Sequence, residues 1–122
     1  MANPFVHVEL HTNDVNKAKD FYTQLFGWKV EDVPMPAGAG AYSMIQVGEG
    51  TAGGMMANQA PGVPPYWLAY VGVDDIVSAT AKAKRLGAKL VVDVTKVGQF
   101  GTMSVITDPT GATLALWQSA QK

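Results

Sequence analysis

The chain has 122 residues, nearly half of them hydrophobic, and a formal charge of −1 from 9 basic and 10 acidic side chains. That suits one domain with enough apolar side chains for a core; interspersed charges exclude a basic nucleic-acid face, and no apolar run reaches the length of a membrane span. The absence of cysteine removes disulfides, thiolate metal sites and cysteine nucleophiles; with no leader pattern at the N-terminus, the expectation is a cytoplasmic protein with neither nucleic acid nor membrane as partner.

The first element is "FVHVELH", residues 5–11. It alternates as a strand, with Val6, Val8 and Leu10 on one face and His7, Glu9 and His11 on the other. "TNDVNKAKDFYTQLFG" predicts a helix capped by Thr12 or Asn13, with Val15, Ala18, Phe21, Tyr22 and Leu25 on its apolar face and Gly27 at its end. Strands follow at about 28–33, 41–47 and 51–57. Gly53-Gly54 lacks the spacing and following helix of a phosphate loop, and marks a strand lying close to other backbone or to a ligand. "QAPGVPPY", residues 59–66, reads as a linker because its prolines and glycine resist regular structure.

The order then repeats. "WLAYVGV" predicts a strand, with Trp67 on its core side, and "DDIVSATAKAKRLG" a helix capped by Asp74, its face formed by Ile76, Ala79, Ala83 and Leu86. Strands at about 88–94, 101–107 and 112–118 complete the set, and "DPTG" reads as a turn without a catalytic role. Laid over each other at an offset of 61, the halves match Asp14 with Asp75, Ala18 with Ala79, Ile45 with Ile106 and Met55 with Leu116. The expected fold is α+β: one domain of two βαβββ modules, about 5–58 and 67–118, in tandem.

Three stretches, "HVELHTNDVNKAKDFYTQLFGW", "WLAYVGVDDIVSATAKAKRLGAKL" and "VITDPTGATLALWQ", together resemble the vicinal oxygen chelate superfamily: glyoxalase I, bleomycin-resistance proteins and extradiol dioxygenases. The resemblance spans essentially the whole chain. It implies a mixed sheet curled around a cleft, helices on the convex side, and a metal held by one residue early in the first strand and one in the last strand of each module. Those places fall on His7, Gly54, Leu68 and Ala115, and the offset of 61 relates His7 to Leu68 and Gly54 to Ala115. Only His7 has a donor, whereas a catalytic metal wants about three protein ligands. No cofactor is therefore expected. A divalent metal on His7 and Glu9, neighbours about 7 Å apart on one strand face, is the alternative.

By the same resemblance His7 faces the cleft. Alternation then makes His7, Glu9, His11, Met56, Leu68, Tyr70, Thr113 and Trp117 its candidate lining. His7 and Glu9 are either polar liners, hydrogen-bonded to each other, or an acid–base pair; His11 falls at the solvated strand end. The glycine-rich segments 34–40 and 96–101 are candidate loops over the cleft. A mostly apolar lining suits a small organic ligand, apolar or aromatic. The expected protein binds such a compound without metal, as a homodimer. The alternative is a glyoxalase-like lyase or dioxygenase-like enzyme.

Overall fold

The computed structural model describes residues 3–34, 41–58 and 62–120. Its elements run β1 (Phe5–Thr12), α1 (Val15–Phe26), β2 (Lys29–Pro34), β3 (Ala41–Gln46), β4 (Gly53–Ala57), β5 (Tyr66–Gly72), α2 (Ile76–Arg85), β6 (Lys89–Val97), β7 (Gly101–Thr107) and β8 (Thr113–Ser119). This is the α+β, twice-repeated βαβββ order that the sequence predicts. Of the two expected loops, 35–40 lies outside the described residues, as does 59–61 of the linker. Residues 96–101 form the β6–β7 hairpin, with Gly98 at φ 51. The "DPTG" segment is a turn: Asp108 Oδ1 accepts from the N–H groups of Thr110 and Ala112, and Gly111 takes φ 99. The chain divides into two compact units.

The unit His7–Leu68 has strand order β2-β3-β4-β1, with β1 parallel to β4 and the other pairs antiparallel. Leu10, Ile45 and Met55 form its buried core, and Val15, Ala18 and Tyr22 of α1 pack against them with Trp28, Val30 and Val47. Asp14, not Thr12 or Asn13, caps α1, its carboxylate accepting from the Lys17 N–H at 3.0 Å; Thr12 is the last residue of β1, which leaves the cap to the next carboxylate. Gly27 ends the helix at φ 73, a left-handed conformation suited to glycine, and its N–H reaches the Thr23 carbonyl. Two expectations fail on this helix. Phe21 and Leu25 are each 56 % exposed, because the sheet takes only the stripe Val15, Ala18 and Tyr22 and leaves its flank outside. Trp67 is 41 % exposed rather than core; it meets the Tyr22 ring edge-on at 5.5 Å.

The second unit takes the described residues up to Val6 and those from Ala69 onward, with strand order β5-β8-β7-β6. Asp75, not Asp74, caps α2 through the Ser78 N–H, and so repeats Asp14 at the offset of 61. Helix α2 lies against β6, β7 and β8; its buried Ile76 and Thr80 face the sheet, and Thr80 hydrogen-bonds Ser104 at 2.9 Å. Leu86 is exposed, since it is the cap residue past the last helical turn. The duplication extends to strand register. Glu9 opposite Gly54 recurs as Tyr70 opposite Ala115, and Ser43 opposite Met55 as Ser104 opposite Leu116. No helix among the described residues is long and apolar enough to cross a membrane.

Candidate functional site

Alternation along β1 sends Leu10 into the core beneath α1 and turns His7, Glu9 and His11 to the opposite face. On that face they meet Tyr42 of β3. The Tyr42 hydroxyl donates its one proton to Glu9 Oε2 at 2.7 Å, so at 2.6 Å from His7 Nε2 it is the imidazole N–H that donates to the phenol oxygen. On the other side, His11 Nε2 lies 2.7 Å from Glu9 Oε1 and donates to it. Glu9 is thus a carboxylate with a donor on each oxygen, only 6 % exposed, at the centre of a chain His7–Tyr42–Glu9–His11. Buried polar groups persist when partnered in this way.

Aromatic faces flank the chain. The His11 ring stacks on Tyr66 at 4.9 Å with 14° between planes, and the His7 ring lies over Tyr42 at 6.1 Å. Burial pushes the His7 imidazole below its ordinary pKa, opposed by the negative Glu9. Burial first, then the Glu9 charge, pushes the Tyr66 phenol up. His7 is therefore neutral at pH 7, with its proton on Nε2 toward Tyr42.

Glycine explains how a tyrosine reaches this position. Gly54 faces Glu9 across the β1–β4 pair and Met44 across the β3–β4 pair; Tyr42 lies diagonally from it on the same face. A Cβ on Gly54 would run into the phenol oxygen, Cζ and Cε2 of Tyr42. A Cβ on Gly53 would strike the Val8 carbonyl instead. The glycine pair is thus a place of close approach, one residue to backbone and the other to a side chain.

The predicted lining residues divide between the units. With His7, Glu9 and His11, the first unit holds Met56, half-buried and opposite His11 in the β1–β4 register, and the buried Leu68. The second holds Tyr70, buried, with Trp117 edge-on to it at 6.2 Å, and Thr113, exposed at the start of β8. One detail differs from expectation. His11 is 8 % exposed and bonded to Glu9, not at a solvated strand end, because Tyr66 covers its ring. His7 and Glu9 are also linked through the Tyr42 hydroxyl, which lies within hydrogen-bond distance of both. Tyr42 itself escaped the sequence reading. Its signal was present in an aromatic residue on a strand beside an interior glycine.

The donors do not fit a divalent-metal centre as arranged. Of the four places that the resemblance assigns, Gly54, Leu68 and Ala115 have no side-chain donor. His7 and Glu9 share the Tyr42 phenol oxygen as a partner, and the second Glu9 oxygen is taken up by His11. No three His, Cys, Asp or Glu side chains are grouped to hold an ion among the described residues.

Comparison with known proteins adds four findings. Residues 5–116 match the model of the Glyoxalase/Bleomycin resistance protein/Dioxygenase superfamily. The provisionally named glyoxylase CFP32 of Mycobacterium bovis is 44% identical over 116 residues, covering 92% of this chain and 44% of its own. The anthracycline biosynthesis protein DnrV of Streptomyces peucetius is 30% identical over 125 residues, covering 90% and 45%. The chain thus spans less than half the length of these relatives. Among solved structures, methylmalonyl-CoA epimerase from Mycobacterium tuberculosis superposes with a TM-score of 0.70 over 95% of this chain and 87% of its own, at 15% identity, a likeness of fold.

Proposed function

The chain belongs to the Glyoxalase/Bleomycin resistance protein/Dioxygenase superfamily, and from that premise we propose that it is a metal-free protein that binds a small apolar or aromatic compound. The ligand contacts the β1 face that carries His7, Glu9 and His11. The observation that carries this reading is the His7–Tyr42–Glu9–His11 chain, whose polar groups satisfy one another without an ion while presenting aromatic faces. Such a surface, flat rings around a few fixed polar atoms, suits a small organic molecule. A relative named for anthracycline biosynthesis supports a small organic ligand over a macromolecule.

A second reading, a glyoxalase-like lyase or dioxygenase-like enzyme, draws on the same carboxylate. A buried Glu9 between a phenol and an imidazole is placed for proton transfer, and a neutral His7 is able to accept a proton. One experiment separates the two. The protein is purified without chelator, its metal content measured, and a panel of aromatic compounds titrated with tryptophan fluorescence as readout. The binding reading expects no stoichiometric metal and saturable quenching without turnover. His7→Ala should weaken binding several-fold while changing stability by no more than about 1 kcal/mol. Stoichiometric metal, or His7→Ala binding like wild type, would sink it.

A further inference from the structure

We propose that Tyr42 is the residue that keeps this site metal-free: its phenol oxygen fills the point on which His7 and Glu9 converge, and Gly54 is the opening that admits it. The inference rests on the metal-free reading above and supplies its cause.

The geometry is specific. His7 Nε2 and Glu9 Oε2 lie 2.6 and 2.7 Å from one and the same atom, the Tyr42 oxygen. Imidazole and carboxylate bind a cation such as zinc at about 2.0–2.2 Å. The point these two donors address is therefore within about half an ångström of a coordinating distance from each, and an uncharged oxygen already occupies it. That oxygen meets the needs of both neighbours. It accepts the imidazole N–H and gives its own proton to the carboxylate, so neither requires an ion.

The space for a further donor is taken by the same ring. Residue 54 faces Glu9 across the parallel pair, and a Cβ there would collide with the phenol. A donor-bearing side chain at 54 and the inward Tyr42 ring are mutually exclusive. His11 does not compete for the filled point, because it is bonded to the far oxygen of Glu9. Either the phenol or a β4 ligand completes the surroundings of His7 and Glu9, and in this chain it is the phenol.

The test compares wild type, Tyr42→Ala and Tyr42→Ala/Gly54→His by calorimetric titration with Zn²⁺ and Ni²⁺, after each fold is checked by circular dichroism. Wild type should show no stoichiometric binding. Tyr42→Ala should gain weak binding through two donors, and the double variant should bind one ion at least about tenfold more tightly than the single. Adding His7→Ala to the double variant should abolish the gain, which locates the ion. A folded double variant that binds no better than wild type overturns the role of Tyr42 and leaves the metal-free reading standing. Tight one-to-one binding by wild type overturns that reading itself. Should the double variant not fold, a folded Tyr42→Ala with no gain over wild type overturns the proposal equally.

Discussion

A histidine whose pKa is lowered by burial makes stability depend on pH in a definite direction. Between the depressed value in the folded protein and the ordinary 6.5, the unfolded chain binds a proton that the folded chain refuses. The contribution of His7 to stability is therefore complete above about pH 6.5 and is lost as pH falls below it. Urea midpoints at pH 7.5 and 5.5 should show wild type losing stability on acidification, and His7→Gln losing less. Equal losses would mean that His7 does not titrate differently on folding. The residues of β1 were legible in the sequence because strand alternation alone puts His7, Glu9 and His11 on one face. Their partners were not. Tyr42 enters from a different strand, and only the β3–β4 register places it beside Gly54. Tyr66 lies beyond the expected strand, and its stacking on His11 depends on how β5 begins.

At the scale of elements, α1 shows where periodicity succeeds and where it misleads. The helix, its end at Gly27 and the core-facing Val15, Ala18 and Tyr22 follow from spacing. Spacing does not say how wide a stripe the sheet will cover, and Phe21 and Leu25 fall beyond its margin. The stability consequence is a reversal. A buried phenylalanine would cost about 3–5 kcal/mol on truncation to alanine, but Phe21→Ala should cost about 1 kcal/mol or less, the level of partly exposed sites. Asp14→Ala, which removes the cap, should cost as much or more, at about 1 kcal/mol. Chemical denaturation of the two variants checks the ranking. A cost above about 3 kcal/mol for Phe21→Ala would show that the ring is covered in solution.

For the whole molecule, the internal duplication was visible as residue matches at one offset, and it reappears as matching register in the β1–β4 and β5–β8 pairs and in the β3–β4 and β7–β8 pairs, whereas β6–β7 carries register shifts that β2–β3 lacks. The copies have diverged in chemistry. Glu9 and Gly54 of the first correspond to Tyr70 and Ala115 of the second. The helices differ likewise: Phe21, Leu25 and Phe26 leave an apolar flank on α1 exposed. Apolar surface of this kind favours a two-fold contact between copies. Sedimentation at micromolar concentration should give about twice the chain mass, and Phe26→Glu should return it toward the monomer. A wild-type monomer under those conditions would exclude a stable dimer.

The parallel pairing of β1 with β4 also sets an order in time. Strands β2, β3 and β4 are joined by antiparallel pairs that form between near neighbours in the chain, whereas Leu10 meets Met55 only across all of them. Distant pairings are closed late, because their loop entropy must be overcome first. Leu10→Ala should then accelerate unfolding with little change in the folding rate, while Ile45→Val should slow folding. Stopped-flow rates in denaturant would decide it, a slowed folding arm for Leu10→Ala being the contrary result. Since β1 carries His7, Glu9 and His11, a collapsed chain can have Tyr42 in place before the strand it serves has arrived.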